Sequence, residues 1–253
     1  MSKPVMPPGY SAANSNTRIS PATLAHTRAA SAPVRVNQSA GLSTERLRNA
    51  MVERLRQQGI ADERVLSAMA TVPRHVFVDE ALGSRAYEDA ALPIGHSQTI
   101  SQPWVVAHML AAVCKDRTPA RVLEVGTGCG YQAAVMAQFI PEVHTIERIK
   151  GLFELARYNL RALRLATRVR IIHADGMVGL ANLAPFDAIV IAAAGLSIPH
   201  ALLTQLAPGG RLIAPEGGAT QKLVLIERTG TAHWKRTELE NVRFVPLRAG
   251  IQS

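Results

Sequence analysis

Residues 121–131 read RVLEVGTGCGY, an apolar run that leads into three alternate glycines. Residues 122–125 predict a buried strand, and the following stretch YQAAVMAQF predicts a helix. Between them, Gly126, Gly128 and Gly130 let the backbone turn tightly and come close to a ligand. This stretch therefore predicts a strand, a glycine loop that can bind a ligand, and a helix.

Strand and helix patterns alternate from residue 121 onward. The predicted strands are VLEV, VHTIE, VRIIHAD, FDAIVIAAA, RLIAP and KLVLIER, and the longest predicted helix is GLFELARYNLRALRL. Such alternation is typical of an α/β fold with a central, mostly parallel sheet and helices on both faces. Ligands of these sheets bind beyond the carboxyl ends of the strands. We therefore expect the functional residues at that edge.

The chain before the sheet divides into two predicted parts. Residues 1–42 are rich in Ser, Ala, Pro and Asn without an apolar period, which predicts a disordered basic tail. An organelle transit peptide is the alternative interpretation of this composition. Residues 43–253 are predicted to form a single domain, in which 43–115 are a helical appendage with an active-site loop and 116–253 bind a cofactor. Ser43 is the predicted N-cap of a first helix, and a second short helix is predicted from Asp62 and ends at Pro73.

Size and composition exclude several classes of protein. The 253 residues suit one α/β domain, and no apolar stretch reaches the ~18 residues that a membrane span needs. The chain contains two cysteines, Cys114 and Cys129, which provide neither a disulfide framework nor a metal site. We therefore expect a cytoplasmic protein without a metal. Of the net charge of +9, four charges lie in the predicted tail, so the folded part is only moderately basic.

Acidic residues at the ends of successive strands indicate the class of ligand. Glu124 lies two residues before the first glycine, where a carboxylate would repel a phosphate and attract a cation. Tyr131 occupies a position at which a dinucleotide fingerprint needs glycine. Glu147 ends the second strand, about 20 residues after the first glycine, where an acid binds ribose hydroxyls. With Asp175 after the third strand, the pattern fits a nucleoside with a cationic tail, such as S-adenosylmethionine.

Each of these residues also has a structural interpretation. Glu147 alone is consistent with a solvated strand end, and Asp175 alone with a helix cap. Cys129 is close to a helix N-terminus, yet no activating His or second Cys accompanies it, so we interpret it as a small filler of the turn. The joint spacing over three strands favours binding.

A second informative stretch precedes the sheet. Between Gly95 and Pro103 the sequence is dense in polar residues that follow no helical or strand period. These residues are His96, Ser97, Gln98, Thr99 and Ser101. Because Pro103 suits the first turn of a helix, Ser101 or Gln102 is also a candidate N-cap. Polar loops of this kind carry function more often than packing.

Several blocks, in this order, resemble protein-L-isoaspartate O-methyltransferases over roughly residues 43–247. They are PRHVFVDE, ALPIGHSQTISQP, VLEVGTGCGYQAAV, IERIKGL, ADG, PFDAIVIAAA, LAPGGRLIAPEG and VRFVPL. The resemblance implies a Rossmann-like fold of the S-adenosylmethionine-dependent methyltransferases. It also implies repair of damaged proteins and peptides, by methylation of the α-carboxylate of L-isoaspartyl residues to an ester that collapses to a succinimide.

The same resemblance assigns roles to individual residues. Ser101 matches the catalytic residue of the family. The implied cofactor-binding residues are Thr99, Ile100, Glu124, Gly126, Thr127, Gly128, Glu147, Arg148, Asp175, Gly176 and Gln221. Cys129 departs from the family, which usually has serine there. The expected partners are proteins and peptides with L-isoaspartate, acted on by a monomer that binds neither nucleic acid nor membrane.

The expected chemistry agrees with these residues. The acceptor carboxylate is already anionic at neutral pH, so no strong general base is required, and Ser101 is expected to orient it by a hydrogen bond. Three rival functions remain open at this point. A nucleic-acid methyltransferase is disfavoured by the sequence AAAG at 192–195 and by only 4% aromatic residues. A nicotinamide-dependent oxidoreductase is disfavoured by the glycine spacing, and a non-catalytic nucleoside-binding module would show binding without turnover.

Overall fold

The computed structural model describes residues 38–253, with side chains from Ser43 onward. The predicted tail therefore lies outside the described residues, apart from the backbone of 38–42. Helix α1 spans Gln38–Gln57, so the prediction that Ser43 caps this helix is wrong. The helix can begin before Ser43 because residues 38–42 contain no proline that would stop it. A serine inside a helix costs only about 0.5 kcal/mol relative to alanine.

Helix α2 spans Glu63–Thr71 and begins after Asp62, where a second helix is predicted. The carboxylate of Asp62 accepts a hydrogen bond from the Arg64 backbone N–H at 3.0 Å, which satisfies one of the free donors of the first turn. The helix buries Val65, Leu66 and Met69, as its apolar period predicts.

A short hairpin precedes the sheet where the sequence showed no regular pattern. Strands β1 (Leu92–Gly95) and β2 (Gln98–Ile100) pair antiparallel. Their turn places His96 and Ser97 in the left-handed region, with φ of 52° and 56°. Helix α3, Pro103–Cys114, follows with its proline in the first turn.

The central sheet has seven strands in the order β5-β4-β3-β6-β7-β8-β9. The strands are β3 Arg121–Val125, β4 Glu142–Glu147, β5 Val169–His173, β6 Phe186–Ile191, β7 Leu206–Gly217, β8 Gln221–Gly230 and β9 His233–Val242. The first five are parallel, and β7-β8 and β8-β9 pair antiparallel. Helices α4 (Tyr131–Met136), α5 (Lys150–Ala162) and α6 (His200–Thr204) connect the parallel strands. The predicted mostly parallel α/β sheet is confirmed.

Both faces of the sheet are covered by apolar side chains. On β3, Val122 belongs to the core cluster that also contains residues of α1 to α4, whereas Leu123 and Val125 belong to the cluster that contains residues of α6. This alternation follows from the two-residue period of a strand. No helix in the described part of the chain is long and apolar enough to cross a lipid bilayer.

The chain order creates a switch point between β3 and β6. After β3 the chain adds β4 and β5 on one side, and it then returns to pair β6 with the opposite side of β3. Connections that leave in opposite directions open a crevice at the carboxyl ends of the two central strands. The glycine loop and residues 192–195 follow these two strands, so both border the crevice.

Candidate active site

A cavity of about 400 Å³ lies at this carboxyl edge, within the size range of small-molecule sites. It brings together most of the residues that the sequence predicts. They are Thr99, Ile100, Ser101, Glu124, Gly126, Thr127, Gly128, Glu147, Arg148 and Gly176. We call it the first cavity.

The glycine loop forms one wall of the first cavity. Gly126, Gly128 and Gly130 all have positive φ, at 94°, 57° and 93°. A Cβ at Gly130 would lie 3.4 Å from Ala156 and Leu160 of α5, which is van der Waals contact. The loop thus needs glycine at Gly130 for its backbone angle, and α5 packs directly against this position.

Glu124 is a fully buried carboxylate beside this loop. It accepts hydrogen bonds from the hydroxyl of Thr145 and from Nε2 of Gln132, the latter at 3.1 Å. Both donors are neutral, and burial raises the pKa of Glu124 to about 8. A carboxylate that borders a cavity without a cationic partner is suited to a ligand with positive charge.

Glu147 ends β4 and stabilises the same loop. Its side chain accepts hydrogen bonds from the backbone N–H of Gly128 at 2.9 Å and of Ile149 at 2.8 Å. Burial raises the pKa of Glu147, although these two donors favour its ionised form. The residue is only 4% exposed, so the interpretation as a solvated strand end is wrong. The remaining lone pairs of the two oxygens can accept hydrogen bonds from ligand hydroxyls.

Two predicted cofactor residues lie outside the cavity lining. Asp175 accepts hydrogen bonds from the backbone N–H of Met177 and Gly250, at 2.8 and 2.7 Å. It closes a turn, and no helix follows it, so the alternative of a helix cap is also wrong. Gln221 both donates to the carbonyl of Phe244 and accepts from its N–H, at 3.1 and 2.7 Å. The side chains of Asp175 and Gln221 are thus hydrogen-bonded to backbone groups next to residues that line the first cavity.

These contacts hold residues 245–252, which we call the closing segment. Val245, Pro246, Leu247, Arg248 and Gln252 line the first cavity. The segment is joined to the strand edge by main-chain bonds, from the Ala194 N–H to the Val245 carbonyl and from the Leu247 N–H to the Ala194 carbonyl, both 2.8 Å. Sequence reasoning found it only through the block VRFVPL and not through any strand or loop pattern.

The alternatives for Ser101 and Cys129 are settled by their contacts. Gln102 is the N-cap of α3 and makes no capping bond through its side chain, while the Trp104 N–H is satisfied by Asp89 at 3.0 Å. Ser101 is therefore not a helix cap. Cys129 is buried, and burial raises the pKa of its thiol to about 11, which agrees with a filler and not with a nucleophile.

A second cavity of about 310 Å³ adjoins the first. Its walls come from the end of the hairpin, the start of α3 and residues 241–245. The two cavities share Thr99, Ser101, Ala192 and Val245. In the described part of the chain the Ser101 hydroxyl has no hydrogen-bond partner, so at this boundary it is free to bind a ligand.

Arg74 holds the backbone of Ser101 in place. This fully buried residue donates from Nη2 to the Ser101 carbonyl and from Nε to the Ala86 carbonyl, both at 2.7 Å. Its guanidinium also lies 4.7 Å from the ring centre of Tyr131, the first residue of α4. Arg74 thus links the loop that carries Ser101 to the helix behind the glycine loop. The block PRHVFVDE contains it, but no sequence pattern indicated its burial.

Comparison with known proteins agrees with this geometry. Residues 45–252 match the family described as protein-L-isoaspartate(D-aspartate) O-methyltransferase. The chain is 76% identical to the protein-L-isoaspartate O-methyltransferase of Bordetella petrii over 246 residues, which are 97% of this chain and 91% of that protein. It is 58% identical to the Burkholderia ambifaria protein of the same name, over 83% of this chain and 68% of that one.

A solved structure is also similar. The chain matches a protein-L-isoaspartate O-methyltransferase from Plasmodium falciparum, in complex with S-adenosyl-L-homocysteine, with a TM-score of 0.72 and 29% identity. The match covers 79% of this chain and 98% of the other. The predicted Rossmann-like fold, the methyltransferase activity toward L-isoaspartyl residues and the cofactor S-adenosylmethionine are confirmed. The chain belongs to the protein-L-isoaspartate(D-aspartate) O-methyltransferase family.

Proposed function

We propose that the two adjoining cavities divide the repair reaction, the first holding the methyl donor and the second the damaged peptide. One observation carries this proposal: Thr99 and Ser101 line both cavities. Methyl transfer requires the acceptor oxygen and the methyl carbon to meet in line, which a shared wall allows. When bound, S-adenosylmethionine supplies an electrophilic methyl carbon, whose bond to a positively charged sulfur breaks as a carboxylate oxygen attacks.

The residues of the first cavity fit this cofactor. Among the described residues Glu124 has neutral hydrogen-bond donors and no cationic partner, so its ionised form suits a cationic ligand. Glu147 offers acceptors for ribose hydroxyls beside the positive-φ glycines. We propose direct contact for the lining residues alone, namely Thr99, Ile100, Glu124, Gly126, Thr127, Gly128, Glu147, Arg148 and Gly176. For Asp175 and Gln221 we propose an indirect role, in which they hold the closing segment.

At the shared wall, Ser101 orients the acceptor. We propose that its hydroxyl donates a hydrogen bond to the L-isoaspartyl carboxylate and replaces water that the closed site excludes. The carboxylate is an anion at neutral pH, so Ser101 need not remove a proton. The absence of a hydrogen-bond partner for this hydroxyl among the described residues supports an orienting role and gives no support for a covalent nucleophile.

The experiment is transfer of labelled methyl from S-adenosylmethionine to two peptides that differ only in aspartate or L-isoaspartate. We expect base-labile label on the L-isoaspartyl peptide alone. Ser101→Ala should lower kcat about 10- to 100-fold and leave the Kd of the cofactor unchanged, since one charge-assisted hydrogen bond is lost. Ser97→Ala is the matched control, because Ser97 lines the first cavity only. Full turnover by Ser101→Ala would overturn the role of the serine.

We further propose that the enzyme acts as a cytoplasmic monomer that does not bind nucleic acid. Both cysteines are free and buried, as suits a reducing compartment. We also propose that residues 43–253 are one domain after a disordered tail, because a single core cluster joins Met51 of α1 to Val122 of β3. Light scattering and a salt titration of RNA binding test the monomer and the absence of nucleic-acid binding.

A further inference from the structure

The second cavity has an uneven distribution of charge. Apart from Arg243, the described residues that line it are apolar or neutral, and no carboxylate is among them. These neighbours include Thr99, Gln102, Trp104 and Asn241. A peptide bound in this cavity would therefore meet one full positive charge and no negative charge.

Arg243 is also unpaired. Within residues 43–253 its guanidinium has neither an ion pair nor a hydrogen bond. Two cations on the adjacent strands are paired, since Lys222 contacts Glu238 at 2.7 Å and Arg236 contacts Glu216 at 2.6 Å. The arginine that faces the second cavity is thus free to pair with a ligand.

The acidic residues around the cavity already have partners. Glu240 contacts His108 at 2.9 Å, and His108 in turn stacks on Trp104 with ring centres 4.7 Å apart. Asp89 accepts from the Trp104 N–H at 3.0 Å and from Gln58 at 3.3 Å. None of these acids contacts Arg243, so its positive charge is not neutralised locally.

The backbone beside Arg243 is held in place. Gln221 makes two hydrogen bonds to the backbone of the next residue, Phe244, and the following residue, Val245, accepts from the Ala194 N–H. The base of the arginine side chain is thus fixed relative to the strand edge and to the wall shared with Ser101. Because its backbone attachment is fixed, the arginine can discriminate between peptides by the position of a charged residue as well as by the sign of its charge.

We propose that Arg243 is a specificity-determining residue, which favours L-isoaspartyl peptides with an acidic residue next to the isoaspartate over peptides with a basic one. This inference rests on the proposed function, since it takes the second cavity as the peptide site. The partner of Arg243 is a flanking carboxylate of the substrate, because Ser101, at the wall shared with the first cavity, is placed to bind the carboxylate that is methylated.

The test compares three synthetic peptides that contain L-isoaspartate and differ in one flanking residue, which is Glu, Gln or Lys. The substitution is placed within two residues of the isoaspartate, on each side in turn. For the wild-type enzyme at low salt we expect kcat/KM for the better-placed Glu peptide to exceed that for the Lys peptide about 3- to 30-fold. The ratio should fall as salt is raised, because the pair is partly exposed.

Variants assign the effect to the side chain. Arg243→Gln should remove the preference, so that kcat/KM becomes similar for the Glu, Gln and Lys peptides, and Arg243→Glu should reverse the preference. Lys235→Gln removes the same charge from β9 outside the cavity lining, so it should preserve the preference. Activity on the Gln peptide shows in each case that the variant is folded.

The outcomes separate this inference from the proposed function. Equal rates on all three peptides by the wild-type enzyme, or a preference that survives Arg243→Gln, would overturn the role of Arg243 while the proposed function stands. An equal loss of activity on all three peptides with Arg243→Gln would overturn it too, since the arginine would then act on the methylated group. No methylation of any peptide by the wild-type enzyme would refute the proposed function itself.

Discussion

Two glutamates at opposite edges of the sheet have the same side chain but different surroundings and different roles. At the amino edge, Glu142 begins β4 and contacts Arg121 at 2.9 Å and His144 at 2.8 Å. These partners hold the pKa of Glu142 below its usual range, with the His144 hydrogen bond as the largest cause. At the carboxyl edge, Glu124 has two neutral donors, and burial raises its pKa to about 8. Within residues 43–253, cationic side chains surround the structural acid, whereas the cavity acid has no counter-charge.

Removal of the charge of Glu124 is expected to have the largest effect. Glu124→Gln keeps the size of the side chain, yet we expect it to weaken binding of S-adenosylmethionine about 10- to 100-fold. This corresponds to the ~1.5–3 kcal/mol of a hydrogen bond to a charged group. The measurement is the Kd of the cofactor by calorimetry. An unchanged Kd would mean that the negative charge does not contribute to binding.

The affinity for the cofactor should also depend on pH, which is the next largest effect that we expect. A cationic ligand binds the ionised form of Glu124, so affinity should rise with pH, by at most about tenfold per unit, and level off near pH 8. Binding below that pH should release a proton, which calorimetry in buffers of different ionisation enthalpy measures. In Glu124→Gln both effects should disappear, and their persistence would assign them to another group.

The stability of the ligand-free protein should respond to pH in the opposite direction. The pKa of Glu124 is raised in the folded state, so the folded protein holds this proton more tightly than the unfolded chain. Its contribution to stability is fully present below the unfolded value of 4.5 and is lost as pH rises to about 8. Wild-type protein and Glu124→Gln should therefore differ in the pH slope of the free energy of unfolding between these limits, and equal slopes would contradict the assignment.

The smallest expected effect is at the amino edge. Glu142→Gln should lower the free energy of unfolding by less than about 1 kcal/mol, because its ion pairs are partly exposed and weakened by salt. Its Kd for S-adenosylmethionine should equal that of the wild type, measured with Glu124→Gln alongside. A weakened Kd in Glu142→Gln would show that the two edges are coupled.

Local patterns predicted the half of the site that belongs to the parallel strands. Glu124, Glu147 and the three glycines could be placed because parallel strands end at one edge, and their spacing along the chain fixes them in space. The same reasoning missed the true start of α1 and the hairpin of β1 and β2, whose strands of four and three residues are too short for a period to be evident.

The other half of the site depends on contacts between distant residues. The closing segment lines the first cavity because Asp175 binds Gly250 across 75 residues and Ala194 bonds to Val245 and Leu247. Arg74 reaches Ser101 across 27 residues. No periodic pattern in the sequence indicates hydrogen bonds between residues so far apart. Gln221, which only the resemblance assigns to the cofactor site, also makes such a distant contact. Its side chain bonds to Phe244 and does not line the first cavity.

The closing segment also has a consequence for the order in which the enzyme is made. Ribosomes synthesise a chain from its N-terminus, and domains begin to fold as they emerge. Every other part of the first cavity is translated before residues 245–252, which form the wall that is bonded to Ala194. A nascent chain can therefore assemble its parallel strands and glycine loop, but it lacks a complete cofactor site until this segment has left the ribosome exit tunnel.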